Sequence, residues 1–145
     1  HPGVARLLDG GLGADGRPFM VLEYVDGAPI DAWCADRLLD ARRKVGLILE
    51  LCQAVAHAHA KLVVHRDIKP SNVLVTADGR TRLIDFGVAR LVTVGDGART
   101  ETPLSVEYAA PELLEGRSAT VMTDVYGLAA TLFELLTGRP PIVVA

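Results

Sequence analysis

The sequence lacks cysteines at metal-site or redox-site spacing: Cys34 and Cys52 are its only two, and neither belongs to a CxxC or Cys/His pattern. Disulfide frameworks and zinc modules need such spacing, so both thiols read as small buried hydrophobes in a reducing, cytoplasmic setting. Long apolar runs are missing as well. A membrane span needs roughly 18 apolar residues, and the longest candidate, Val45 to Ala60, is broken by Glu50, Gln53, His57 and His59. Nor is there an excess of basic charge. Fifteen Lys and Arg against 18 Asp and Glu leave a net charge of −3, which gives no electrostatic footprint for nucleic acid. The chain has no initiating Met, no basic n-region of a signal peptide and no lysine before Lys44. Its opening His1-Pro2 and its apolar close, Ile142-Val143-Val144-Ala145, give the expectation of a piece of a longer protein.

What is present is ordinary globular material: 145 residues, half of them apolar and 23% charged, enough for one hydrophobic core. Val4–Leu8 and Phe19–Val25 read as strands joined by the Gly- and Asp-rich stretch Asp9 to Arg17. Asp40 reads as the N-cap of a long helix with apolar positions Val45, Ile48, Leu49, Cys52, Val55 and Ala56. Leu62–Val64 is short and β-like. Val73–Val75 and Arg82–Ile84 flank Asp78-Gly79, a strong hairpin signal. Thr123 opens a second helix with Val125, Leu128, Leu132 and Leu135 on one face; Gly138 ends it, with Pro140 and Pro141 beyond. The layout is α+β, and no repeat or low-complexity segment interrupts it.

Three motifs carry chemistry: His65-Arg66-Asp67-Ile68-Lys69-Pro70-Ser71-Asn72, then Asp85-Phe86-Gly87, then Ala110-Pro111-Glu112. In that order they resemble the catalytic loop, metal-binding motif and activation-segment end of the eukaryotic-like Ser/Thr protein kinase family, in its bacterial wording, and the resemblance covers essentially the whole chain. It implies a partial kinase fold. Residues 1–25 would be the last strands of the N-terminal lobe and the start of the hinge, and residues 26–145 the rest of the hinge and the first half of the helical lobe. The Gly-rich loop, the strand Lys with its Glu partner, and the last helices would lie outside this chain.

The chemistry can also be argued from the residues. Phosphoryl transfer from ATP is positioning plus neutralisation of phosphate charge, usually by Mg²⁺, a hard cation that takes carboxylate and amide oxygens. A two-residue turn at Asp78-Gly79 puts Asn72 opposite Asp85 at the open end of the hairpin, with facing side chains starting about 5 Å apart. These two are the expected metal ligands. Asp67 is placed to orient the acceptor hydroxyl, and Lys69, two residues on, to steady the transferring phosphoryl group. Lys69 also matches the Ser/Thr branch, since tyrosine kinases typically carry Ala-Ala-Arg or Arg-Ala-Ala before the Asn.

The resemblance further implies that Phe19–Gly27 is the strand and hinge beside adenine. Leu22 would be the gatekeeper, the backbones of Glu23 and Val25 would bond the adenine edge, and Leu74 would lie under the ring. Asp124 would brace the catalytic loop, and His65 and Phe86 would belong to an internal apolar spine. Arg66 would grip a phosphorylated activation segment, where Thr100 and Thr102 are the candidates for autophosphorylation, while Ser105 matches the family's substrate-loop Thr. ATP, Mg²⁺ and proteins with Ser or Thr acceptors are the implied ligands and partners. Gly11-Leu12-Gly13-Ala14-Asp15-Gly16 spells a nucleotide-loop pattern, but the next strand carries no lysine, so it reads as a hairpin connection. Ala129 stands where the family has Gly and is expected to crowd its helix; Glu112 is expected to lack its usual Arg partner. Two other readings are an ATP-binding scaffold without turnover and a small-molecule phosphotransferase. The second sits badly with Lys69-Pro70 and with the long segment ending at Glu112.

Overall fold

A computed structural model describes residues 1–85 and 105–142. Phe86, Gly87, Thr100 and Thr102 lie outside the described residues. The described chain is α+β: strands β1 (Leu7–Leu12) and β2 (Pro18–Leu22) form one antiparallel sheet, and β3 (Gly27–Pro29), β4 (Val73–Thr76) and β5 (Thr81–Leu83) form a second in the order β3-β4-β5. The helices are α1 (Ile30–Asp36), α2 (Ala41–His59), the short α3 (Pro111–Leu114) and α4 (Val121–Thr137). No helix of the described residues is long and apolar enough to cross a membrane.

The first hairpin differs from its sequence reading. Strand β1 runs on through Asp9, Gly10, Gly11 and Leu12, and the turn is confined to residues 13–17, closed by Gly13 N–H donating to Arg17 O (2.7 Å). Gly10 and Gly11 pair with Met20 and Phe19, and the Phe19 ring lies over Gly11 in place of a side chain there. The GxGxxG pattern is therefore the end of a strand and a hairpin turn, followed by β2 rather than by a helix.

Helix α2 starts where expected, with the Asp40 carboxylate accepting from Arg43 N–H (2.8 Å). Its other end corrects the β-like reading of Leu62–Val64. Val63 N–H donates to Ala58 O and Leu62 N–H to His59 O, the 6→1 and 5→2 pair of a Schellman end, with Leu62 itself left-handed at φ 60°. Apolar side chains at that point mark a helix terminus, not a strand. Helix α1 has no counterpart in the sequence reading because seven residues are too few to show a period. Helix α4 begins two residues before the expected Thr123, at a capping box in which Thr120 and Thr123 satisfy each other's backbone, and it ends on left-handed Gly138.

The second hairpin also shifts by one. Val73 faces Leu83, Leu74 faces Arg82 and Val75 faces Thr81. The loop is Ala77-Asp78-Gly79, closed by Gly79 N–H to Thr76 O (2.8 Å) with Gly79 at φ 77°, a three-residue turn rather than the two-residue one. Asn72 consequently faces Ile84, whose N–H donates to Asn72 O (2.9 Å), and not Asp85.

The core gathers Ile30 and Cys34 of α1, Leu51 and Val55 of α2, Val73, Val75 and Leu83 of the hairpin, and Leu128 and Leu135 of α4, with Ile68 of the intervening loop. Cys34 is buried in this core, and Cys52, partly buried, packs against it. Two glycines permit close approach. A side chain at Gly27 would meet Val75 O at 2.9 Å and push β3 off β4, and one at Gly127 would meet Ile68 O at 2.9 Å and displace the loop that carries the motif residues.

Candidate active site

The loop from His65 to Asn72 joins α2 to β4, and a helix distant in sequence shapes it. Asp124, fully buried in the first turn of α4, accepts from the backbone N–H of His65 and of Arg66 (2.8 Å each) and from His59 Nε2 (2.7 Å). Three donors on one buried carboxylate satisfy its charge where water cannot. They also hold Arg66 at φ 74°, a conformation that a non-glycine residue keeps only when its surroundings enforce it. The bracing role of Asp124 is thus present. His59 was missed by the sequence reading, which noted it only as a polar interruption of the apolar run; no spacing signal connects it to Asp124, 65 residues away.

His65 is buried, but it is hydrogen-bonded rather than simply apolar-facing. Ile84 O can only accept, so the His65 Nε2–H donates to it (3.0 Å), which leaves Nδ1 to accept from Asp67 N–H (3.3 Å). The neutral ring therefore bridges the loop to the strand that leads into Asp85. Burial pushes its pKa below the ordinary histidine value, overcoming the upward pull of the Ile84 bond and of Asp124, Asp67 and Asp85. With a lowered folded-state pKa, the unfolded chain takes up the proton first. The contribution of His65 to stability is then complete above the unfolded value of about 6.5 and is lost as pH falls from there toward the folded value. Urea midpoints at about pH 7.5 and about pH 5.5 should drop more for the unaltered protein than for His65→Gln. Equal drops would remove His65 as the cause.

The motif side chains converge on Asp67. Lys69 Nζ lies 2.8 Å from Asp67 Oδ2 and donates to Ser105 Oγ (2.8 Å). Asn72 Nδ2 donates to Asp67 O (2.7 Å) and to Asp67 Oδ2 (3.0 Å). One carboxylate oxygen is thus held by an ammonium and an amide. Asp67 Oδ1 has no hydrogen-bond partner among the described residues. Because its Nδ2 is committed to Asp67, Asn72 presents Oδ1, an amide oxygen, on its other side. Ser105 is positioned by the one-turn helix Val106–Tyr108, which Tyr108 fastens to α4 by donating to Glu134 (2.6 Å). Burial, then that hydrogen bond, push the Tyr108 phenol well above its ordinary range.

Asp85 lies just past β5, exposed and left-handed at φ 58°, which ends the strand. It lines a cavity of about 480 Å³ together with Leu22, Met20, Ala5 and Val63. The structure therefore brings Leu22 and Asp85 to one cavity; Val25, Leu74, Asn72 and Asp67 do not line it. Asn72 and Asp85 offer one amide and one carboxylate oxygen. That hard-oxygen set suits Mg²⁺, which keeps water and phosphate in the rest of its shell. The register shift removes the argument that placed the two directly opposite each other.

In the connection after β2, Glu23 N–H is taken by Arg6 O (2.8 Å), while the Glu23 carbonyl and Val25 N–H have no hydrogen-bond partner among the described residues. Leu74 is half-buried on the outer face of β4. One further expectation changes: Ala129 is exposed and crowds nothing, the tight position on α4 being Gly127. Glu112, expected to lack its usual Arg partner, accepts instead from Thr123 Oγ1 (2.6 Å), and that bond holds its carboxyl below the usual range.

The model of the protein kinase domain matches residues 1–144. Serine/threonine-protein kinase PknB of Mycobacterium tuberculosis is 33% identical over 148 residues, covering 97% of this chain and 24% of that protein. Serine/threonine-protein kinase PrkC of Bacillus subtilis is 37% identical over 143 residues, covering 97% of this chain and 22% of that protein. A probable serine/threonine-protein kinase of Streptomyces coelicolor is 34% identical over 152 residues. The chain thus spans about a quarter of the length of the curated relatives it matches.

Proposed function

The chain belongs to the protein kinase family, and from that premise we propose that it carries the acceptor side of a Ser/Thr protein kinase site. The reaction would move the γ-phosphoryl group of ATP to a Ser or Thr hydroxyl of a protein. The hydroxyl oxygen bonds to phosphorus, the bond to the ADP oxygen breaks, and the hydroxyl proton passes to Asp67. The observation that carries this reading is the Asp67–Lys69–Asn72–Ser105 cluster, in which a carboxylate is fixed in place beside a cation.

Lys69, which contacts both Asp67 and Ser105, would balance charge on the transferring group and hold the acceptor loop near the carboxylate. Asn72 and Asp85 would hold Mg²⁺, which when bound neutralises the phosphate oxygens. Leu22 would border the adenine, Leu74 would lie under it, and the free Glu23 carbonyl and Val25 N–H would bond its edge. The phosphate-gripping loop and its lysine would come from another part of the domain, so the 145 residues alone would have little activity.

The test is to incubate the full-length protein with Mg²⁺, γ-labelled ATP and generic protein acceptors, and to identify the labelled amino acids. Label on serine or threonine, dependent on Mg²⁺, supports the reading. ATP binding without transfer would instead favour a scaffold, and transfer only to small molecules would favour the phosphotransferase. Phosphosite mapping in the same reaction tests Thr100 and Thr102 as autophosphorylation sites.

A further inference from the structure

The Glu23 carboxylate ties two other segments of chain to the hinge. It accepts from Arg82 Nη2 of β5 (2.7 Å) and from Arg6 N–H (3.1 Å), and the Arg6 guanidinium lies 3.5 Å away. Arg82 stands directly opposite Leu74 in the β4–β5 ladder, and opposed residues of an antiparallel pair share a face. The faces divide cleanly: Val73, Val75, Thr81 and Leu83 point into the core, while Leu74 and Arg82 point outward toward the hinge. The guanidinium is sheltered too. Its side chain is 23% exposed, and its Nε is buried without a partner among the described residues, so it is committed to Glu23 rather than to solvent.

We infer that Arg82 is a positioning residue for nucleotide binding: by gripping Glu23 beside Leu74, it fixes the spacing between the hinge edge and the floor on which the purine rests. This inference rests on the nucleotide reading of the hinge given above. It differs from a role at the metal, although Arg82 is only three residues before Asp85. A hinge tether acts on the purine and should be felt by adenosine, which has no phosphate, as strongly as by Mg-ATP.

The test uses the full-length protein and calorimetric Kd values for adenosine and for Mg-ATP. Arg82→Gln should weaken both ligands by the same factor, about two- to tenfold for a half-buried charged pair. KM for ATP should rise by that factor, with a smaller fall in kcat. Arg82→Lys should recover part of the loss. Glu23→Gln should weaken adenosine similarly, and the double variant no further than either single one. Because adenosine is neutral, its affinity should also fall with added salt in the unaltered protein and lose that dependence in Arg82→Gln. Three results would overturn the inference: unchanged Kd values in Arg82→Gln, a loss confined to Mg-ATP, or additive losses in the double variant. If the unaltered protein bound neither ligand, the nucleotide reading itself would fall and take the tether with it.

Discussion

Asp67→Asn is expected to slow phosphoryl transfer by about 10²- to 10⁴-fold, the loss that follows removal of a positioned acid–base group. Nucleotide affinity should barely move. The isosteric amide fits the same space, but the neighbours dictate how it turns. Asp67 Oδ2 is faced by two donors, Lys69 Nζ and Asn72 Nδ2. An asparagine at 67 must give them its oxygen and send its NH₂ toward the Oδ1 side. There a donor would replace the acceptor proposed to take the hydroxyl proton. Single-turnover kinetics together with a nucleotide titration would check this. A variant that turned over within a few-fold of the unaltered enzyme would rule out Asp67 as the base, and with it the assignment of the cluster.

Asp124→Ala is expected to cost stability first and activity with it. The carboxylate satisfies two backbone N–H groups and the His59 ring in a site with essentially no solvent access. Truncation strands the two backbone donors, each buried orphan costing about 1–3 kcal/mol, while the His59 ring, 18% exposed, can turn to water. A total loss of about 2–6 kcal/mol is expected, a large share of the stability of any domain this size. Arg66 would also lose the anchor that keeps it left-handed, and the loop that presents Asp67 would relax. Asp124→Asn separates the two effects. It keeps the volume and one acceptor but turns an NH₂ against a donor, so it should melt between the unaltered protein and the alanine variant. Chemical denaturation would measure both variants. A loss of less than about 1 kcal/mol in the alanine variant would mean that Asp124 is not the hub of the loop.

How much of this could be read in advance depended on the range of the interaction. Two caps were legible because their signals are local: Asp40 and Gly138 act on neighbours within one turn. The motif residues were legible because their chemistry and order are distinctive. The hairpin register was not. Asp78-Gly79 fits a two-residue turn and a three-residue turn equally well, and only the backbone hydrogen bonds decide for the latter, moving Asn72 from Asp85 to Ile84. Leu62 was misread because an apolar side chain in a left-handed helix end looks, in sequence, like a strand residue. The partnership of His59 with Asp124 and the grip of Arg82 on Glu23 span 65 and 59 residues, and no periodicity encodes contacts of that reach. Ala129 drew notice as a departure from the family pattern, whereas the contact that matters on α4 is made by Gly127 against Ile68.

The long reach of Asp124 also bears on the order of events as the protein is made. Residues 65 and 66 leave the ribosome well before the carboxylate, 58 to 59 positions later, that gives them their shape. Until α4 has been synthesised and has docked, the amides of the loop have only water to bond, and Arg66 has no reason to stay left-handed. Contacts this distant in sequence close late and slowly, since the chain must first give up the entropy of a long loop. A nascent chain halted before residue 124 would carry every residue of the motif from His65 to Asn72 and still hold them in no particular arrangement.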